Sequence, residues 1–301
     1  MFRTIVILLD GSPFAEQALP WALRLARRAG ATLELVRGHV LYALTQPAAA
    51  WAPFDPVAEA DCKQEERAYL DAVAHRVADA APVSITETLV DGLETEGILQ
   101  RVRDGRADLV VMATHGRGPL GRFFLGSVAD VLVRETSVPV LLVRPHGAGL
   151  DSGAAAEDVL VPLDGSPLAE QILGPAADLA RLAGARCTLL RVLPPATFSR
   201  RPAALEEEPH ARALAYLEAV AERLRGQGLS VQTRVVASAR PARAILREAR
   251  EGTVIALATH GRGGVPRVVL GSVADKVVRT APGPVLVYRP PVGRPDDRVT
   301  G

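Results

Sequence analysis

The chain has little lysine, few aromatics, two cysteines and no long apolar run. Only Lys63 and Lys276 are lysines among its 35 basic residues. Such an excess of arginine reads first as coding bias, not as phosphate chemistry. Aromatic residues make up 4% of the sequence and hydrophobic residues 48%, so a core must be built from Ala, Val and Leu. The net charge of +1 excludes a general pull toward nucleic acid or an anionic membrane, so any anion site must be local. No apolar stretch reaches the roughly 18 residues of a membrane span, and the chain starts almost at once with a strand-like Ile5–Leu9. A soluble, cytoplasmic protein is expected. Cys62 and Cys187 lack CxxC spacing and are expected to be free thiols, neither disulfide-bonded nor metal ligands.

What is present is present twice. Leu9-Asp10-Gly11-Ser12-Pro13 recurs as Leu163-Asp164-Gly165-Ser166-Pro167. Ala113-Thr-His-Gly116-Arg117-Gly118 recurs as Ala258-Thr-His-Gly261-Arg262-Gly263, and each copy leads to Leu-Gly-Ser at Gly126-Ser127 and Gly271-Ser272. The run Val138-Pro-Val-Leu-Leu-Val-Arg-Pro145 returns as Gly283-Pro-Val-Leu-Val-Tyr-Arg-Pro290. Two homologous domains explain all three repeats. We expect domains at 1–146 and 157–291, a linker at 147–156 and a tail at 292–301.

Within each half, apolar runs alternate with helical patterns. Expected strands are Thr4–Leu9, Thr32–Val40, Val83–Val90, Asp108–Ala113 and Val138–Val143, then Val159–Leu163, Cys187–Leu193, Val231–Val236, Thr253–Ala258 and Val285–Tyr288. Helices are expected between them. The first follows a Ser12-Pro13 cap and ends near Gly30, and its counterpart follows Ser166-Pro167 and ends near Gly184. Residues 42–56 and 194–209 should be irregular loops. Strands alternating with helices predict two tandem open parallel sheets, each of five strands with helices on both faces. Ligands of such sheets sit beyond the carboxyl ends of the strands, at a switch point. Both the Asp-Gly-Ser turn and the glycine loop lie at such ends.

The glycine loop is the candidate anion cradle. Gly116 and Gly118 can turn successive N–H groups inward, and Gly126-Ser127 opens a helix with free N–H groups. A helix N-terminus supplies only about 0.3–1 kcal/mol of charge interaction. Micromolar affinity needs about 8 kcal/mol, so a base and a sugar contact must supply much of the rest. Asp10 and Asp164 are candidates for ribose hydroxyls, Val40 and Val192 for the wall of a base slot, and Arg117 and Arg262 for phosphate oxygens. Each has a plainer role available: a turn brace for the Asp pair, core packing for the Val pair, a solvated loop charge for the Arg pair. Ser127 with Asp130, and Ser272 with Asp275, spell a capping box. His115 and His260 recur, but no second ligand stands at metal spacing, so a structural role is expected. Gly116-Arg-Gly-Pro-Leu-Gly121 matches GxGxxG, yet the second copy loses the third glycine and the loop follows the fourth strand. A dinucleotide fingerprint is therefore rejected. The sequence has no P-loop, and no paired carboxylates, GxSxG elbow or Ser/His/Asp arrangement are evident.

With these residues in view, the chain resembles the universal stress protein family in a tandem two-domain form, over almost its whole length. The match lies in the Asp-Gly-Ser turn, the His-Val end of strand two, the His-Gly-x9-Gly-Ser loop and the closing Val-Pro-Val-Leu-Leu-Val-Arg-Pro strand. The resemblance implies a Rossmann-like fold of the adenine-nucleotide α-hydrolase type and pairing of the halves through their last strands. In one branch of the family it also implies ATP binding, alone or with Mg2+, through G-x2-G-x9-G-[ST]. Gly116, Gly126 and Ser127 match that motif, as do Gly261, Gly271 and Ser272, with Val128 and Val273 beside the serines. Ala113 and Ala258 replace the first glycine, near the ribose, where a methyl is either tolerated or crowds the ligand. Pro162 matches a proline of the binding branch, whereas Leu8 stands at that place in the first half, which slightly favours the second site.

Three functional readings remain open: a nucleotide-binding regulatory protein without strong catalysis, a stress-response interaction module without nucleotide, and a slow ATPase or transferase. No nucleic-acid or membrane partner is expected. The apolar last strands, Val138–Val143 and Val285–Tyr288, are expected to pair antiparallel within one chain. Association of two chains into a homodimer stays open.

Overall fold

The computed structural model describes residues 2–39, 55–91, 94–105, 107–114, 125–144, 156–195, 207–259 and 270–290. The first half runs β1 (Thr4–Leu8), a 3-10 turn (Ala15–Ala18), α1 (Leu19–Ala29), β2 (Thr32–Gly38), α2 (Pro56–Ala80), β3 (Ile85–Val90), α3 (Glu94–Asp104), β4 (Leu109–Ala113), α4 (Ser127–Glu135) and β5 (Val140–Val143). The second runs β6 (Asp158–Pro162), α5 (Pro167–Glu170), α6 (Leu173–Ala183), β7 (Arg186–Leu193), α7 (Glu207–Arg225), β8 (Val231–Ala237), α8 (Pro241–Glu248), β9 (Thr253–Ala258), α9 (Ser272–Thr280) and β10 (Val285–Tyr288).

All ten strands form one sheet in the order β3-β2-β1-β4-β5-β10-β9-β6-β7-β8. Neighbours are parallel inside each half and antiparallel only where β5 meets β10, with Leu141 opposite Leu286. The expected pairing of the last strands is therefore present. Alternation along each strand divides the side chains between two faces. Ile5 and Ile7 join an apolar cluster with α1, α2, α6 and α7, while Val6 and Leu8 join another with α3, α4, α8 and α9. Each cluster runs across both halves. The halves are also tied by Arg28, whose Nη1 donates to the Leu182 carbonyl at 2.8 Å, and by Arg144, whose Nη2 donates to that of Val278 at 2.9 Å.

The helices after the Asp-Gly-Ser turns differ from expectation in that each is split, and in the first half the N-cap position falls to Phe14 instead of Ser12. A short turn precedes α1, and α5 precedes α6. Pro20 and Pro175 supply the reason. A proline lacks the N–H needed in a helix interior, so the helix restarts just ahead of it, where that N–H has no intrahelical partner. Gly30 and Gly184 close α1 and α6 in the left-handed region, as their positions predict. Helix α2 begins at Pro56, capped by the Asp55 carboxylate, which accepts from the Val57 and Ala58 N–H groups. The expected loops at 42–56 and 194–209 and the linker lie largely outside the described residues. Among the described residues, no helix is long and apolar enough to cross a membrane.

Candidate functional site

From β1 the chain moves outward to β2 and β3, then crosses back to β4 on the other side of β1. The switch point therefore lies between β1 and β4, and between β6 and β9 in the second half. Two segments meet at each switch point: the turn after the first strand and the chain leaving the fourth. Helices α4 and α9 then return antiparallel to the strands, so their N-termini lie at the same end. In the second half the link is direct, because the Gly271 N–H donates to the Thr259 carbonyl at 2.8 Å.

The turn is built the same way twice. One oxygen of Asp10 accepts from the Ser12 N–H at 2.8 Å and the Ser12 hydroxyl at 2.6 Å. One oxygen of Asp164 accepts from the Ser166 N–H at 2.9 Å and the Ser166 hydroxyl at 2.6 Å. The serine oxygens then accept from the Ala15 and Ala169 N–H groups, both at 3.1 Å. Gly11 and Gly165 take φ of 84° and 75°, a region that a side chain disfavours. Both aspartates thus brace their turns, and Asp10 is also exposed to solvent.

Against each turn stands an arginine that we did not single out from the sequence. Arg37 lies 5.2 Å from the Tyr69 ring centroid and Arg191 lies 6.0 Å from that of Tyr216. A Cβ on Gly11 would come within 2.5 Å of Arg37 Nη1, and Arg191 Nη1 donates to the Leu163 carbonyl at 3.1 Å. The available signal was their recurrence near the ends of β2 and β7 and of the tyrosines on the following helices.

The remaining site residues are distributed as follows. Ala113 and Ala258 are half-buried last residues of β4 and β9. Pro162 ends β6 opposite Leu190, as Leu8 ends β1 opposite Val36. Val192 is half-buried in β7, and the strand registers of the two halves make it the counterpart of Gly38. Val40, Gly116, Arg117, Gly261 and Arg262 lie outside the described residues, as do His115 and His260.

The capping box expected at α4 and α9 is corrected. Gly126 and Gly271 are the N-caps, with no side-chain cap, and Ser127 and Ser272 are the first helical residues, exposed to solvent. One position further into the helix, the serine hydroxyl is past the cap position. Asp130 and Asp275 turn instead to Arg134 and Arg279 one helical turn on, each at 2.8 Å. Val128 is half-buried and Val273 exposed.

A second group lies at the end of β2. His39, 1% exposed, donates from Nδ1 to Glu66 and from Nε2 to Glu59, both at 2.6 Å. Both glutamates are 7% exposed. Burial opposes a charge on the ring, but the two carboxylates prevail and raise its pKa above the ordinary imidazole value. Arg37 Nη2 reaches Glu66 at 3.3 Å. Cys62 is half-buried beside them, its thiol pushed up by burial and then by Glu66 and Glu59. Neither cysteine is disulfide-bonded. Glu59, Cys62 and Glu66 share one face of α2, but nothing in the sequence marks that face as the one turned toward His39.

A sequence profile of the universal stress protein family matches residues 1–144 and 156–289. The chain belongs to the universal stress protein family. A universal stress protein of Mycolicibacterium smegmatis is 30% identical over 300 residues, covering 95% of this chain and 97% of that one. One from Mycobacterium tuberculosis is 29% identical over 299 residues, covering 95% and 96%. The crystal structure of a universal stress protein from Archaeoglobus fulgidus superposes with a TM-score of 0.70 at 19% identity, covering 95% of this chain and 98% of that one. This universal stress protein thus carries two family domains in tandem, joined in one ten-stranded sheet.

Proposed function

We propose that this tandem universal stress protein binds an adenine nucleotide, ATP alone or with Mg2+, in each half and acts as a regulatory protein without strong catalysis. One observation carries the reading. In both halves a helix whose N-cap is a glycine, with no side-chain cap among the described residues, stands at the switch point together with a braced Asp-Gly turn. Uncapped N–H groups suit phosphate oxygens. The Asp10 and Asp164 carboxylates suit a ribose diol. In this reading Gly116, Arg117, Gly261 and Arg262 complete the phosphate cradle, Val40 and Val192 flank the base, and Ala113 and Ala258 stand beside the ribose. The domains are taken as 1–146 and 157–291. The protein works in the cytoplasm.

The test begins with the purified chain, denatured, and its released small molecules identified by mass. ATP, ADP or AMP is expected, together with a rise in Tm when ATP and Mg2+ are added. A second arm uses Ser127→Asp with Ser272→Asp. A carboxylate at the first helical turn favours the helix by about 0.3–1 kcal/mol while repelling phosphate. Weaker nucleotide binding at equal or greater stability is the expected pairing. No released nucleotide from the unaltered chain, and no thermal shift, would overturn the proposal.

A further inference from the structure

We propose that the first half alone holds a zinc-class divalent cation on His39, Cys62 and Glu66, with Glu59 as the partner that orients the imidazole. The ligand atoms of His39, Cys62 and Glu66 all lie within 4.8 Å of one another, and no ion is present. A tetrahedral ion with bonds of roughly 2.0–2.3 Å needs its ligands about 3.3–3.8 Å apart. His39 Nδ1 and Glu66 Oε2, 2.6 Å apart across a hydrogen bond, draw apart as the proton between them leaves, and Cys62, half-buried on α2, closes in. Imidazole, thiolate and carboxylate together suit zinc better than a hard cation such as magnesium. Glu66 lies on the Nδ1 side of the ring and Glu59 on the Nε2 side. Nδ1 therefore serves the ion while Nε2–H donates to Glu59, the carboxylate–histidine arrangement that fixes a metal ligand's tautomer. Three protein ligands leave the fourth position to water. On loading, the ion displaces the protons of the Cys62 sulfur and of Nδ1, and both leave to solvent.

The second half is an internal control. The arginine–tyrosine stacks set the correspondence, Arg37 with Arg191 and Tyr69 with Tyr216. By the same steps along the chain, His39 corresponds to Leu193, Cys62 to Pro209 and Glu66 to Ala213. Leu193 is half-buried and Ala213 buried in a fold of the same design. The fold therefore does not require a histidine between two buried carboxylates at this place. Buried charges are costly to keep and often outperformed by apolar residues, so a buried His39–Glu66 pair where the second half has Leu193 and Ala213 points to a task that the first half performs. The site stands on β2 and α2 and does not depend on nucleotide binding.

The experiment strips the full chain with a chelator, then reloads it with Zn2+ or with Co2+ as a spectroscopic probe. We expect one zinc per chain, a rise in Tm on loading and a near-ultraviolet thiolate-to-cobalt band. Cys62→Ser should lose the band and the zinc-dependent rise while matching the metal-free Tm of the unaltered chain. Cys187→Ser should keep the band. Glu59→Gln should weaken zinc binding by about 10–100-fold while keeping it, and it serves as the test variant should Cys62→Ser not fold. Absence of the band from the unaltered chain, its persistence in Cys62→Ser, or markedly less than one zinc per chain would overturn the proposal. In that case the cluster is a buried imidazolium held by carboxylates and nothing more.

Discussion

At the scale of single residues, Gly11 and Arg37 constrain each other. Gly11 holds φ of 84°, and the volume a side chain would need is taken by the Arg37 guanidinium. Arg37 in turn lies over Tyr69 and contacts Glu66, so the Asp10 turn is mechanically connected to the cluster around His39. Gly11→Ala should cost about 1–2 kcal/mol for the left-handed backbone alone, with a further displacement of Arg37. Urea unfolding measures this, and an unchanged midpoint would contradict the account. The glycine was legible because Asp-Gly-Ser recurs. The buried charges were not. Glu59, Cys62 and Glu66 sit in a helix rich in exposed charge, so their stripe reads as solvated, and His39 becomes their partner only when β2 and α2 pack. The pattern of a sequence gives the face a residue shares, but not which of two polar faces is turned inward.

At the scale of elements, strands and several helix starts were legible, but not which residue caps each helix. Continuous apolar runs such as Leu109–Ala113 and Val285–Tyr288 mark parallel strands buried on both faces. Helix starts depend on one residue's backbone angles. At α4, Ser127 has the composition of a cap, but Gly126 occupies the cap position with φ of −57° and ψ of 155°. At α5, by contrast, Ser166 is a true N-cap, buried and accepting from Ala169. The two serines should therefore respond differently to the same change. Ser166→Ala is expected to cost about 0.5–2 kcal/mol, the usual value of a lost cap. Ser127→Ala should stay within about 0.5 kcal/mol of the unaltered chain. Equal losses at both positions in denaturant titrations would mean that the Ser127 hydroxyl caps α4 after all.

At the scale of the whole molecule, the two halves share their core as well as their chain. The β5–β10 joint closes what would otherwise be two apolar sheet edges. Leu141 and Leu286 face each other across it, both 0% exposed, and Arg144 crosses from the first half to the end of α9. With both apolar clusters spanning the joint, the halves should unfold as one unit. The sequence offers a convenient reporter, because its two tryptophans, Trp21 and Trp51, are both in the first half. Leu286→Ala, in the second half, should destabilise the chain by about 2–5 kcal/mol. The loss should be visible equally in tryptophan fluorescence and in far-ultraviolet circular dichroism. Leu141→Ala with Leu286→Ala should depart from additivity by about 0.5–3 kcal/mol, since the two side chains share one contact. If Leu286→Ala instead left the fluorescence midpoint in place while the dichroism split into two steps, the halves would be separately stable domains. The ten-stranded sheet would then be a docked arrangement and not a single cooperative core.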